Sequence, residues 1–276
     1  MIESIIKSIP LLSKLPFDTL EIQKLSGLSN RNYLIFTQEQ RYILRIPRQS
    51  TNRFINRDSE SYNAEIAQQL GIAPKCLWRG EGEQEGISLT EFINNTNHFE
   101  SDNKKPINTF AKTLATLHRS KKPFKSTLDN KSIAIKLNQY FKLCSCSQQK
   151  LLKADYQKTL SLLETPLCKR PSVPSHIDLI TENILQQDNK IWLIDWEYSA
   201  MASPFWDIAI FCNSAGLDSN RSKKLLKQVL DNNQNNDIQC LEDYRLITQV
   251  VSDCWQMAFH NHPNSTNAKA IAAGNA

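Results

Sequence analysis

The feature of this chain that most constrains its fold and chemistry is a polar loop followed by a short hairpin. Residues 176–183 spell His-Ile-Asp-Leu-Ile-Thr-Glu-Asn, which places Asp178 five residues before Asn183. An apolar run then ends at Asp195. Two carboxylates and an amide at such positions are the groups that orient an attacking hydroxyl and hold Mg²⁺ on the phosphates of a nucleotide. The spacing therefore predicts a phosphoryl-transfer site.

The polar residues of this loop have distinct predicted roles. Asp178 is the candidate catalytic base, and Asn183 and Asp195 are the candidate Mg²⁺ ligands. His176 is a second catalytic candidate, although a histidine two residues before the base more often braces the loop through hydrogen bonds. We therefore expect a nucleotide and Mg²⁺ at this loop.

Hydrophobic periodicity divides the chain into a small β-rich part and a larger helical part. Residues 20–47 and 87–93 have the composition of β-strands, and a polar, asparagine-rich stretch follows them. We therefore predict an N-terminal nucleotide-binding lobe of residues 1–94 and a C-terminal catalytic and acceptor-binding lobe of residues 95–276. Because ligand clefts favour domain interfaces, the nucleotide is expected between the lobes.

Helices are predicted by apolar spacing and by their start and stop residues. They are expected over residues 2–15, 59–70, 107–119, 131–143, 150–164, 205–215, 220–231 and 240–260. Two short strands are expected at residues 184–186 and 191–194, on either side of a turn that follows the polar loop.

Two charged residues in the first lobe are candidates for holding the nucleotide phosphates. Arg45 lies in a predicted strand, where its guanidinium group can contact two phosphate oxygens at once. Glu60 follows fifteen residues later on a predicted helix and can hold Arg45 in place. Glu65 lies on the same helix and is the competing partner.

Two further segments are candidate nucleotide contacts. Ser26, Gly27 and Asn30 lie in a polar turn whose backbone N–H groups and side chains can cradle phosphates. Glu91 and Phe92 lie towards the end of the last predicted strand of the lobe and are candidates for meeting adenine through backbone groups. That second assignment rests on their order along the chain.

Composition restricts the class of protein. The chain has 276 residues, 40% apolar and 22% charged, with a net charge of +5. Its basic residues are dispersed along the sequence, so no nucleic-acid partner is expected. Seven cysteines without a C-x-x-C motif are expected to be reduced thiols in a cytoplasmic protein. Charges at the N-terminus and the lack of a long apolar run exclude a signal peptide and stable membrane insertion.

The chain resembles the choline/ethanolamine kinase branch of the aminoglycoside phosphotransferase-like superfamily. The matching segments are residues 27–33, 42–47, 55–60, 70–74, 114–118, 176–185 and 193–198, with Pro204 and Asp207. The resemblance implies an α+β, two-lobed, protein-kinase-like fold with a small β-rich N-lobe and a larger helical C-lobe. It also implies ATP as the phosphoryl donor, Mg²⁺ as cofactor and a small alcohol as acceptor.

The resemblance assigns the same roles to the residues already singled out. It makes Asp178 the catalytic aspartate and Asn183 and Asp195 the metal ligands. It makes Arg45, supported by Glu60, the cation that contacts phosphate.

The acceptor is predicted to be a small cationic alcohol, with choline first and thiamine as the alternative. Aromatic faces and a carboxylate suit a quaternary ammonium ion. The candidate residues are Trp196, Glu197 and Tyr198 after the hairpin, Trp206 shortly after them, and Trp255 in the last helix. For Trp255, a place in the hydrophobic core is an equally good interpretation.

Two other functions remain open from the sequence. An antibiotic kinase is disfavoured, because polyamine substrates require a strongly acidic cleft. A nucleotide-binding module without turnover is disfavoured because Asp178, Asn183 and Asp195 are all present.

Overall fold

A computed structural model describes residues 2–25, 30–48, 55–99, 104–164, 168, 170–230 and 234–259. The chain forms two compact units, which we describe separately. The N-terminal unit comprises Met1–His98 and Ile184–Tyr198, and the C-terminal unit comprises Phe99–Asn183 and Ser199–Ala276.

The N-terminal unit is built mainly from strands. Its elements are α1 (Ile2–Ser8), β1 (Glu21–Leu25), β2 (Asn30–Phe36), β3 (Arg41–Pro47), α2 (Arg57–Gln69), β4 (Cys76–Arg79), β5 (Ser88–Glu91), β6 (Asn97–His98), β9 (Ile184–Gln187) and β10 (Lys190–Leu193). Five strands form an antiparallel sheet in the order β1-β2-β3-β5-β4. The register pairs Arg45 with Ser88 and Tyr42 with Glu91, which fixes where the β3 side chains point.

Side chains that alternate between the two faces of the strands form the hydrophobic core on one face of this sheet. Ile35, Leu44 and Leu89 are fully buried and pack with Ile6 and Ile9 from the N-terminal segment. Because successive strand residues face opposite sides, Arg45 points away from the face that Leu44 fills. Packing of the core therefore determines which face of the sheet carries Arg45.

A second sheet brings residues far along the chain into the N-terminal unit. Strands β9 and β10 form an antiparallel hairpin, and β9 also pairs with β6. The backbone N–H of Leu193 donates to the carbonyl of Ile72 at 2.7 Å. The two compact units are thus not separated by a single cut at residue 94, because these hydrogen bonds attach the hairpin to the N-terminal residues. The predicted functional lobes, 1–94 and 95–276, stay a prediction.

The C-terminal unit is mainly helical. Its elements are α3 (Lys104–His118), β7 (Thr127–Leu128), α4 (Asn130–Leu143), α5 (Cys146–Leu163), β8 (Val173–Ser175), β11 (Ala200–Ala202), α6 (Pro204–Ser214), α7 (Ser219–Val229) and α8 (Asp237–Phe259). The last helix packs against α4, α5 and α6, and its apolar residues form the core with them. Three short strands form a sheet in the order β7-β11-β8.

Local sequence signals account for the helix boundaries. Asn56, Asp129 and Asp218 are N-caps whose side chains accept backbone N–H groups at the starts of α2, α4 and α7. Ser145 and Gln148 form a capping box at the start of α5.

The predicted helices after residue 56 agree with the structure to within a few residues. The first helix ends at Ser8, earlier than the predicted residue 15, because Pro10 has no N–H group to continue it.

The expectation that all cysteines are reduced thiols is wrong for one pair. Cys168 and Cys240 form a disulfide between residues 72 positions apart. The pairing could not be predicted from spacing, because only the packing of the segment before β8 against α8 brings the two sulfur atoms together.

None of the helices in the described part of the chain combines the length and apolar character needed to cross a bilayer.

Candidate active site

One polar cluster of the N-terminal unit surrounds Arg45 on β3. The Arg45 side chain donates hydrogen bonds to Glu60 on α2 and, at 3.2 Å, to Asp195 Oδ1. Only 13% of the Arg45 side chain is exposed. Burial lowers the pKa of Arg45, but the carboxylates of Glu60, Asp195 and Glu197 raise it above its ordinary value. Arg45 is therefore a fixed, permanently charged cation.

The structure distinguishes the two candidate partners of Arg45. Glu60 is buried and contacts both Arg45 and Arg57, with 2.6 Å between Arg57 Nη1 and Glu60 Oε2. Burial raises the pKa of Glu60, but the two guanidinium groups outweigh burial and lower it overall. Glu65 instead accepts a hydrogen bond from Gln69 on the exposed side of the helix. Glu60 is thus the residue in contact with Arg45.

Gly86 allows Arg57 to approach the cluster. Its φ angle is +86°, and a Cβ atom there would lie 2.7 Å from Arg57 Nε and 2.8 Å from a Pro47 side-chain atom. A side chain at this position would displace Arg57, so the absence of a Cβ is a requirement of the site.

Glu197 is buried in the same cluster. Its Oε2 atom accepts a hydrogen bond from Asn30 Nδ2 at 3.0 Å and lies 3.9 Å from Arg45 Nη1. Burial raises the pKa of Glu197 to about 7, and the adjacent Asp195 carboxylate adds to the rise while Arg45 opposes it. The structure thus places Glu197 beside the predicted phosphate-binding cation, and its predicted contact with the acceptor stays a prediction.

The other predicted nucleotide contacts are partly described. Ser26 and Gly27 lie outside the described residues, whereas Asn30 begins β2 and contacts Glu197. The backbone N–H groups of Glu91 and Phe92 donate to the carbonyls of Lys75 and Arg41. These two N–H groups are therefore engaged within the sheet, and any contact of this segment with adenine needs other backbone groups.

The C-terminal unit contains the polar loop. Asn183 closes a short 3₁₀ turn, and its Nδ2 atom donates to the Asp178 carboxylate at 3.0 Å and to the Asp178 carbonyl at 2.9 Å. These bonds orient the Asn183 amide, so that its oxygen remains the atom suited to a hard cation. Asp178 is half-buried, and the neighbouring Glu182 is exposed.

Ile177, Asp207 and Trp206 support this loop, a role that the sequence did not predict for them. Ile177, directly before Asp178, has a φ of +75°, which is strained for a β-branched residue. The buried Asp207 carboxylate on α6 accepts the backbone N–H groups of His176, at 2.9 Å, and Ile177, at 2.8 Å. The indole N–H of Trp206 donates to the Ile177 carbonyl at 2.8 Å.

His118 completes this support. Its Nε2 atom lies 3.1 Å from Asp207 Oδ2, and both side chains are buried. His118 and Asp207 are among the residues that carry the resemblance to the kinase family, which was the available signal for them. His176 is fully buried, as expected for a residue that braces the loop, and a catalytic role for it stays a prediction.

The predicted aromatic residues occupy different environments. Trp196 is buried, and its indole N–H donates to the Leu193 carbonyl, so the ring is a packing residue of the N-terminal unit. Tyr198 is half-buried. Trp255 is half-buried on α8, with its ring 5.7 Å from that of Phe259. Partial exposure leaves Trp255 and Tyr198 able to contact a ligand, and the predicted contact of Trp196 with the acceptor stays a prediction.

Comparison with known proteins provides an independent test of the predictions. The profile of the choline/ethanolamine kinase family matches residues 22–258. Protein LicA of Haemophilus influenzae is 26% identical over 220 residues, which cover 76% of this chain and 62% of that protein. The matched region thus spans less than two thirds of this LicA.

Solved structures agree with the family match. The crystal structure of choline kinase LicA from Streptococcus pneumoniae has a TM-score of 0.80 and 23% identity, covering 98% of this chain and 95% of that one. LicA in complex with AMP has a TM-score of 0.75 and 22% identity, covering 98% and 94%. The shared fold confirms the predicted α+β class, with a β-rich N-terminal part and a helical C-terminal part.

Proposed function

Because the chain belongs to the choline/ethanolamine kinase family, we propose that it transfers the γ-phosphoryl group of ATP to the hydroxyl group of choline. The family membership makes it a phosphotransferase with an alcohol acceptor. The observation that carries the proposal is that the matched region, residues 22–258, contains both Arg45 with its carboxylate partners and the Asp178 loop.

In this proposal Asp178 is the catalytic base. It accepts the proton of the choline hydroxyl as that oxygen attacks phosphorus, or orients the hydroxyl for attack. Support for this role comes from the loop itself, where Asn183 and the Asp207 contacts hold the residues around Asp178 in a strained conformation.

Mg²⁺ would be held by Asn183 and Asp195. One amide oxygen and one carboxylate are hard oxygen donors, which fit a cation that binds few protein ligands and substrate phosphates. The Asn183 nitrogen is used in bonds to Asp178, which supports the use of its oxygen for metal. When bound, the cation would neutralise charge on the phosphates.

Arg45 is proposed to contact the nucleotide phosphates. Its charge is maintained by Glu60, and its position is restrained by Glu60 and Asp195. Ser26, Gly27 and Asn30 are proposed to contribute to the phosphate-binding turn, and residues 91–92 to the region that meets adenine.

Choline is favoured over thiamine as the acceptor. The matched family is that of choline and ethanolamine kinases, and the S. pneumoniae relative is itself a choline kinase. The half-buried rings of Tyr198 and Trp255 are proposed to contact the quaternary ammonium group, since aromatic faces attract such cations. Trp196 and Glu197 stay predicted contacts of the acceptor.

We also propose that the protein acts in the cytoplasm, where ATP is available. The Cys168–Cys240 disulfide would then be an exception to the reduced state usual for cytosolic thiols.

The proposed function is tested by an acceptor screen. ADP release is followed at saturating Mg-ATP with choline, ethanolamine, thiamine and an aminoglycoside in parallel, with the Asp178→Asn variant as control. Turnover with choline, lost in the variant, is expected. Turnover with thiamine alone would replace the acceptor, and ATP binding without turnover on any acceptor would contradict the assignment as an alcohol kinase.

A further inference from the structure

Positive charge is concentrated in one part of the C-terminal unit. Residues 112–158 contain eleven lysines and arginines but two aspartates, although the whole chain has a net charge of only +5. Ten of these basic residues are exposed, namely Lys112, Arg119, Lys121, Lys122, Lys125, Lys131, Lys142, Lys150, Lys153 and Lys158. The prediction that basic residues are dispersed along the sequence is therefore wrong for this segment.

Helical periodicity brings many of these residues onto one side of two neighbouring helices. On α4, Lys131, Ile135 and Lys142 lie on one exposed stripe, and on α5 Lys150 and Lys158 do so. Both helices pack on α8 and on each other, so their exposed stripes lie on the side away from α8. We call the exposed side chains on this side of α4 and α5 the basic face.

Buried contacts hold the turn between α4 and α5 in place. The buried Cys144 thiol lies 3.4 Å from the Tyr140 carbonyl and 3.6 Å from the Cys254 carbonyl on α8. The Ser145 capping box fixes the start of α5. The turn between α4 and α5 therefore presents a defined surface.

Large apolar side chains protrude from this positively charged surface. Leu151 on α5 is 73% exposed, the highest value for a large apolar residue in the described part of the chain. Ile135 is 50% exposed and Leu143, the last residue of α4, is 46% exposed. Lys142 follows Ile135 by seven residues on α4, and Lys158 follows Leu151 by seven residues on α5, so each pair lies on one side of its helix.

This combination of groups favours one kind of partner. Lysines attract the anionic headgroups of a bilayer, and leucines on the same helix face can enter the boundary between headgroups and acyl chains. A nucleic acid would match the charge, but its phosphate backbone provides no apolar layer for the exposed leucines.

We propose that the basic face docks on an anionic membrane surface, with Ile135 and Leu151 inserted between lipid headgroups and the surrounding lysines on the phosphates. Docking of this kind lies on the surface of one leaflet and needs no spanning helix. It goes beyond the kinase function and uses none of the residues assigned to catalysis.

The proposal is tested by co-sedimentation of the full chain with phosphatidylcholine vesicles that either contain or lack phosphatidylserine. Binding is expected only with phosphatidylserine and should weaken as salt is added, because exposed charges are screened. The triple variant Lys142→Gln/Lys150→Gln/Lys158→Gln should bind at least about tenfold more weakly, given the contribution of each lysine at an anionic surface. Leu151→Ser should reduce binding severalfold.

Matched controls separate this face from general effects of charge and hydrophobicity. Lys224→Gln/Lys227→Gln removes exposed lysines from α7, and Leu11→Ser removes a leucine that is 47% exposed in the N-terminal unit. These controls should bind as the wild type does, and thermal melting and choline turnover should be unchanged in all variants.

Three outcomes would overturn the proposal. These are no binding to either vesicle, vesicle binding that Leu151→Ser leaves unchanged, and equal or stronger binding to a short DNA duplex that depends on the lysines alone. The last result would assign the basic face to nucleic acid.

Discussion

The backbone conformation of Ile177 positions Asp178. A positive φ at a β-branched residue costs about 1–3 kcal/mol and persists only where surrounding contacts impose it. Here the contacts come from α6, through the Asp207 carboxylate and the Trp206 indole. The position of the predicted base therefore depends on residues about thirty positions later in the chain.

Asp207→Asn is expected to impair catalysis more than nucleotide binding. The amide retains one acceptor oxygen, so one of the two loop N–H groups loses its partner and the loop shifts. Turnover should fall roughly 10- to 100-fold, as small misplacements of catalytic groups do, with little change in KM for ATP. Asp218→Asn is the control, because asparagine caps the start of α7 as well as aspartate does. An equal loss in both variants would contradict the positioning role.

Glu60→Gln and Glu65→Gln test the proposed support of Arg45. Glu60 carries a charge between two buried guanidinium groups, whereas Glu65 contacts only Gln69 among the bonds described above. Loss of a charge-assisted hydrogen bond, worth about 1.5–3 kcal/mol, should raise KM for ATP roughly tenfold in Glu60→Gln. Steady-state kinetics of Glu65→Gln should match the wild type, and the same change in both variants would remove Glu60 from this role.

Glu197 makes stability depend on pH. Its pKa is raised by burial from 4.5 to about 7, so the folded state holds a proton that the unfolded state has released. The free energy of unfolding is therefore highest, as far as this group is concerned, below about pH 4.5. It falls as the pH rises towards 7 and is constant above that range. The loss amounts to at most about 3 kcal/mol. Urea unfolding of Glu197→Gln should lack this decrease, and an identical pH profile in both proteins would contradict the assignment.

At the scale of elements, the start of α8 is fastened by two neighbouring links. Cys240 forms the disulfide with Cys168, and Asp237 forms two hydrogen bonds with Arg170, at 3.0 Å and 2.6 Å. This helix packs on α4, α5 and α6, so its position affects most of the C-terminal unit. The links matter because α8 also carries Trp255.

Cys240→Ser is expected to destabilise the protein by about 2–4 kcal/mol, because the disulfide restrains a long loop in the unfolded chain. Urea unfolding under non-reducing conditions measures the change. Cys146→Ser, at an exposed free cysteine, should leave the unfolding free energy unchanged. Equal stability of wild type and Cys240→Ser would indicate that the disulfide contributes nothing to folding.

Helices were easier to predict than strands for a physical reason. A helix such as α4 or α5 carries its apolar period, cap and end within one segment, so local sequence is sufficient. Strands β4, β6, β7, β8 and β11 have two to four residues each and were not predicted. Strands this short are defined by their hydrogen-bonded partners, which lie elsewhere in the chain.

For the whole molecule, nucleotide binding and phosphoryl transfer should be separable. In Asp178→Asn we expect Mg-ATP to raise the melting temperature as it does in the wild type, because a ligand at 100 times its Kd adds about 2.7 kcal/mol. Choline-dependent ADP release should fall roughly 100- to 10,000-fold with loss of the general base. Asp188→Asn, in the exposed turn of the β9–β10 hairpin, is the control. Near wild-type turnover in Asp178→Asn would exclude it as the base.

The sequence by itself determined the chemistry and the fold class. The spacing of Asp178, Asn183 and Asp195 depends on one short stretch of chain, and the resemblance to alcohol kinases depends on ordered motifs, so both could be read without coordinates. The sequence also predicted choline ahead of thiamine, and the match to the choline/ethanolamine kinase family favours the same acceptor.

Only the tertiary structure decided which distant residues act on one another. It selected Glu60 over Glu65 as the partner of Arg45, placed Trp196 in the packed interior and joined Cys168 to Cys240. It also left ten of the eleven basic residues of segment 112–158 exposed. These outcomes depend on sheet register and helix packing, which arise from contacts between segments far apart in the chain and have no local signature.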